Sequence, residues 1–228
     1  LGQAQAGDND MEETMMRGVF GAALFAIALA GPALAQNRFP SIPPDQMTPE
    51  QRALAAAIQG GPRAAVPGRD NSIGGPFNVW LRSPGVGDRL QALGAELRFR
   101  TSLPQALNEF AILITAREWS SQYEWFAHHR LALAAGLPAS VAADLAEGRR
   151  PAGMNDDQRV IYDFCIELHR NRFVSDANFE AVKARFGERG VVDLIAVSGY
   201  YVAVAMTLNT ARVGLPDGVA PPLPELRR

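Results

Sequence analysis

The stretch PQALNEFAILITAREWSSQYEWFAHHRLALAAG, residues 104–136, decides the fold class. Pro104 opens it, and Leu107, Phe110, Ala111, Ile112, Leu113, Ile114 and Ala116 then put apolar side chains on nearly every side of a helix running to about Glu118. A helix that is apolar all round has to be buried, so this one is expected to form the centre of the core. Ser121 opens a second helix, which stops at Gly136.

The same grammar extends in both directions. Downstream, Pro138 opens a helix that stops at Gly148. Asn155-Asp156-Asp157-Gln158 is a capping box leading a helix to about His169. Ser175 caps a helix ending at Gly187, and the last long helix runs over about 189–212, before Gly214. Upstream, residues 86–100 form one helix, and Thr48-Pro49-Glu50-Gln51 starts a short one with a capping box and Pro at the first helical position. Residues 60–76, with five glycines and three prolines, read as a loop. Repeated N-cap, apolar period and C-terminal glycine leave no room for a sheet, so the expected class is all-α, a multi-helix fold.

Four segments follow. Residues 1–35 read as a leader: Met15-Met16-Arg17 is a short basic start, residues 18–30 are apolar, and Ala33-Leu34-Ala35 places small residues ahead of Gln36. That layout is a secretory signal over about 15–35, cleaved at Ala35/Gln36, and it implies a periplasmic or secreted protein. An uncleaved anchor is the rival, but the apolar run is short for a membrane span. Residues 36–76 form a Pro/Gly-rich arm with one short helix, 77–216 the helical domain, and 217–228 a Pro-rich tail. The last helix is nearly as apolar as a span, yet Asp193, Ser198, Asn209 and two tyrosines interrupt it. It is therefore expected in the core or a subunit interface, with no stable membrane insertion after signal cleavage.

Composition narrows the functions. The 228 residues carry 22 Lys plus Arg against 24 Asp plus Glu, without a basic block, which argues against a nucleic-acid partner. The one cysteine, Cys165, lies in an apolar run and reads as a buried small hydrophobe. It excludes an internal disulfide, a CxxC pair and a multi-cysteine metal site.

Candidate chemistry sits in the opening stretch. Glu109 projects beside Ile112, Leu113 and Ala116, so its carboxylate is drawn inward, where it is either paired structurally or poised for acid–base work. Glu124 and His128 are four apart and share a face with the small residues Ala132 and Ala135, which leave space for a ligand. Tyr123 and Trp125 flank the pair as apolar walls. Ser121-x-x-Glu124 is also a capping box, in which Glu124 reaches back to the Ser121 backbone. His129 and His169 read as structural, the latter suiting the end of a helix dipole. Metal binding through Glu109, Glu124 and His128 needs more ligands than the sequence places, so neither metal nor cofactor is expected.

Asn108-Glu109-Phe110-Ala111-Ile112-Leu113, Ala116-Arg117 and Ser121-Gln122-Tyr123-Glu124-Trp125-Phe126-Ala127-His128 resemble the carboxymuconolactone decarboxylase family. Gly74-Gly75-Pro76-Phe77-Asn78-Val79-Trp80-Leu81 upstream and Gly199-Tyr200-Tyr201 downstream share the resemblance, which covers roughly residues 77–216. It implies an alkylhydroperoxidase D-like helical fold assembled as a homo-trimer or homo-hexamer, with pockets near subunit contacts. The alkylhydroperoxidase D-like branch carries a CxxC pair, but Ser121 and Glu124 stand at those two positions. Peroxide reduction needs both thiols, so that activity is set aside.

The decarboxylase branch uses no cysteine and implies a cofactor-free lyase or isomerase acting on a small carboxylate or lactone. In that reading His128 donates or accepts the proton, Glu109 orients it or shares its proton, and Arg98, Arg100 or Arg117 holds the carboxylate. Tyr200, from the downstream match, joins Tyr123, Trp125, Arg117 and Arg98 as a candidate substrate contact. The family's best-known reaction belongs to intracellular aromatic catabolism, so an exported relative implies a different small acid, lactone or enolisable compound. The alternative is a non-catalytic helical binding or assembly module on the same fold.

Overall fold

The computed structural model describes residues 37–65 and 73–225. The expected leader and its cleavage point lie outside the described residues. Among those described there is no strand, and the class is all-α as expected. The described residues form eight α-helices in order: α1 (Pro49–Gly60), α2 (Gly75–Trp80), α3 (Pro84–Phe99), α4 (Gln105–Glu118), α5 (Gln122–Ala134), α6 (Ala139–Ala146), α7 (Asp156–Asn171) and α8 (Asp176–Ala211).

Local chemistry sets most of the ends. Thr48 Oγ1 accepts from Gln51 N and Gln51 Oε1 accepts from Thr48 N, closing the capping box of α1. Asn155 and Gln158 do the same for α7 at 2.9 and 3.0 Å. Gly136 and Gly148 take positive φ just past α5 and α6. The backbone breaks at Gly187 (φ 71°), so α8 is two helical segments meeting where the sequence ends one and begins the next. It ends at Ala211, close to the expected 212, with Arg212 in the left-handed position.

Every residue of α4 from Leu107 to Arg117 is buried, and α5, α6, α7 and α8 all pack on it. Its all-round apolar character is thus answered by neighbours on each side. The second segment of α8 supplies Leu194, Val197, Tyr201, Val204 and Leu208 to the same core. By length and composition α8 passes as a membrane span, but half of its most apolar window is buried against the other helices.

The arm and tail are more involved than a loop and a loose end. Leu54, Ala55, Ile58 and Leu81 form a second apolar cluster covered by Ile42 and Met47. The loop of residues 60–76 contains a 3-10 turn (Pro62–Ala65) and the start of α2. Residues 217–225 fold back: Leu223 is buried in the main core, and its backbone N–H and C=O pair with the Gln122 side-chain amide at 2.9 and 2.8 Å.

Candidate functional site

A cavity of about 510 Å³ opens between α5 and the second segment of α8. From α5 it is lined by Tyr123, Glu124, Phe126, Ala127, His128, Arg130 and Leu131, and from α8 by Tyr200, Tyr201, Val204 and Leu208. Arg98 of α3, Arg63 of the 3-10 turn, Gly74, Pro76, Phe77 and Pro216 complete the wall.

Glu109 and His128 meet as the sequence suggested. Glu109 Oε2 lies 2.7 Å from His128 Nδ1, with the carboxylate 1% exposed and the imidazole on the cavity wall. Gln105 Nε2 donates to Glu109 Oε1 at 3.0 Å, and Arg98 Nε stands 3.8 Å from the same oxygen, an ion pair beyond hydrogen-bond reach. Tyr201 sets its ring edge-on to the imidazole, 4.9 Å between centroids.

Burial works to raise the Glu109 carboxyl, but His128, Arg98 and Gln105 outweigh it and hold it below the usual carboxylate range. Burial pushes the His128 imidazole down, and the attraction of Glu109 only partly offsets this. At neutral pH the arrangement is therefore an ionised Glu109 accepting from a neutral His128 through Nδ1–H. That tautomer carries its lone pair on Nε2, the state required of a base.

Glu124 is placed differently from the capping-box reading. Ser120 takes φ +48°, Ser120 N donates to Arg117 O at 3.0 Å and Ser121 N donates to Ala116 O at 2.8 Å, a Schellman closure of α4. The Ser121 N–H is consumed, so Glu124 has no cap donor to reach, and Ser121 makes no side-chain cap either. Both Glu124 carboxylate oxygens are buried with no hydrogen-bond partner, and burial raises this carboxyl well above its ordinary range.

Tyr200 lies on the wall, its phenol hydrogen-bonded to Arg63 and pushed up to about 12 chiefly by burial. Arg63 also donates to Gln91 O at 3.0 Å and covers the Phe77 ring. This packing needs Gly94, because a Cβ there would overlap the Tyr200 hydroxyl and crowd Arg63 Nη2. Tyr123 likewise rests on Gly75, whose φ of +59° and 2.8 Å approach from the position of a Cβ to Tyr123 Cε1 leave no room for a side chain.

Of the residues anticipated, the cavity wall gathers His128, Glu124, Tyr123, Arg98 and Tyr200, with Glu109 immediately behind His128. Trp125 is corrected: one step round α5 from Glu124, it turns into the core and stacks on His129, 5.7 Å away. Arg117 is corrected too. It sits two turns beyond Glu109, roughly 12 Å along α4, and its Nη1 donates to Pro224 O instead. Arg100 is exposed and pairs with Glu96 at 3.1 Å.

Arg63 and Tyr201 were missed as site residues. Arg63 lies in a Gly/Pro-rich segment with no period to orient it, whereas Tyr201 adjoins Tyr200 in the run Gly199-Tyr200-Tyr201. Cys165 is buried, 3.7 Å from Ser198 Oγ, with its thiol pushed up to about 12 by burial. Among the described residues no group of three or more His, Cys, Asp or Glu is arranged to hold a metal ion, which removes geometric support from the Glu109–Glu124–His128 ligand set. Comparison of the chain with protein-family models, with curated proteins and with solved structures found no match.

Proposed function

We propose that the protein is a cofactor-free acid–base enzyme, a lyase or isomerase of the carboxymuconolactone decarboxylase kind, acting on a small carboxylate or lactone. The observation that carries the reading is the 2.7 Å Glu109–His128 pair, buried on the carboxylate side and facing a cavity on the imidazole side. His128 moves the proton, and Glu109 fixes its tautomer and orientation. Arg98 and Arg63 on the wall favour an anionic substrate. Apolar rings from Phe77, Tyr123 and Tyr201 suit a small carbon skeleton.

The same proposal includes export and a homo-oligomer of three or six subunits. Support for assembly comes from the second segment of α8, which leaves the apolar Val192, Ile195 and Met206 at 64%, 47% and 48% exposure. A second copy of the chain is the occupant proposed for this stripe.

The test is a thermal-shift screen of small carboxylates and lactones, followed by proton NMR of each hit in deuterated buffer. Wild-type protein is expected to convert at least one hit or exchange its protons. His128→Ala and Glu109→Gln are expected to lose this by a hundredfold or more, given that positioned acid–base groups contribute about 10²–10⁴ in rate. Activity retained in folded His128→Ala would sink the proposal.

A further inference from the structure

The Glu109–His128 pair leaves one carboxyl on the wall unexplained. Glu109 is occupied by His128 and Gln105, and Tyr200 by Arg63. Glu124 is fully buried on the wall, and neither of its oxygens meets a donor or acceptor among the described residues. A buried polar group without a partner is costly and calls for a reason. Capping is not the reason, because the Ser121 N–H is spent on Ala116 O. Nor is an ion pair: Glu124 forms none among the described residues, and burial pushes this carboxyl up. It therefore keeps its proton, an O–H donor held on a residue of the cavity wall.

Glu124 and His128 stand one helical turn apart on the same face of α5, roughly 5–6 Å between Cβ atoms. A donor and a base at that spacing straddle two adjacent positions of a small molecule. One accepts a hydrogen bond and the next carries an acidic C–H, as in a carbonyl group and its α-carbon. Arg63, Arg98 and Arg130 line the same cavity against the single ionised carboxylate of Glu109 behind it, so the third recognised feature is an anion. We propose that the cavity takes an enolisable 2-oxo acid: the Glu124 carboxyl donates to the oxo oxygen, and the carboxylate is drawn to Arg98 and Arg63.

The choice of 2-oxo acid deepens the acid–base reading above and rests on it for turnover, although recognition by Glu124 does not need turnover. With His128 as base, the α-C–H bond breaks and its proton passes to Nε2. The bond's electron pair becomes the new C=C, while the carbonyl π pair moves to the oxygen, which takes the Glu124 proton. Return of the protons restores the ketone, so the net event is proton exchange or tautomerisation with no redox partner.

Three matched probes separate the parts: 2-oxobutanoate, 2-hydroxybutanoate and butanoate, each titrated into the full chain by calorimetry at neutral pH. The oxo acid is expected to bind about tenfold more tightly than butanoate, the size of one hydrogen bond's net contribution, with the hydroxy acid between them. Glu124→Gln, which keeps an N–H donor, should retain the preference, and Glu124→Met should lose it. Equal binding of the three acids by the wild-type chain, binding of none, or a preference that survives Glu124→Met overturns the inference. Deuterium uptake by 2-oxobutanoate is read in the same samples. Preference without uptake upholds recognition by Glu124 and removes the acid–base activity, whereas uptake without preference does the reverse.

Discussion

Ser121 N donates to Ala116 O at 2.8 Å, and that bond decides the chemistry of a residue three positions later. In an ordinary capping box the Ser121 N–H would be met by the Glu124 carboxylate, which would then be ionised and solvated at a helix end. The Schellman closure of α4 takes the donor first, so Glu124 is left buried on the cavity wall with both oxygens unmatched.

This makes the stability of the protein fall with pH through Glu124. Its folded-state pKa is raised above 4.5, so its contribution is fully present below that value and is lost as pH rises through the folded value. Glu124→Gln removes the dependence. The stability difference between variant and wild type is expected to grow in the variant's favour by about 1.4 kcal/mol per pH unit across that window. Denaturant midpoints taken at successive pH values above 4.5 measure it, and parallel curves would contradict the placement of Glu124.

The Glu109–His128 pair has the opposite sign. Both pKa values are depressed in the folded state, from 4.5 for Glu109 and 6.5 for His128. Their contribution is present above 6.5 and is lost as pH falls, first through the folded value of His128 and then through that of Glu109. A double-mutant cycle with Glu109→Gln and His128→Ala is expected to give a coupling of about 1–3 kcal/mol at neutral pH, growing as acidification charges His128 beside the ionised Glu109 and lost once Glu109 is protonated. Additive single effects at neutral pH would mean that the two groups do not hold one another.

Gly94→Ala probes the wall itself. The new methyl group has to displace the Tyr200 hydroxyl and with it Arg63, at a cost of about 1–3 kcal/mol for overpacking. The melting temperature should fall and ligand binding weaken together, and Tyr200→Phe in the same background should recover part of the stability. No recovery would place the strain elsewhere.

Assembly has its own readout. Ile195 lies at 47% exposure in the apolar stripe of α8, and Ile195→Glu is expected to reduce a trimeric or larger species to smaller ones, as read by light scattering, without lowering helix content. A wild-type chain that is monomeric at micromolar concentration would remove the assembly proposal.

Helix starts and stops were legible in the residues because their physics is local. Thr48 with Gln51, Asn155 with Gln158, and the glycines at 136, 148 and 187 satisfy or free backbone groups within one turn, whatever surrounds them. The burial of α4 was legible because a helix apolar on all sides has one place to go. Pairing of Glu109 with His128 could be anticipated from two carriers of charge on adjacent apolar helices. What only the tertiary structure decided depends on groups distant in the chain or on competition for one atom. Arg63 reaches the cavity from a segment without period, Arg117 is taken by the Pro224 carbonyl, and Trp125 leaves the wall for the core. Glu124 is the clearest case: its sequence spacing fits a cap, yet a single N–H can be given once, and the preceding helix end had already claimed it.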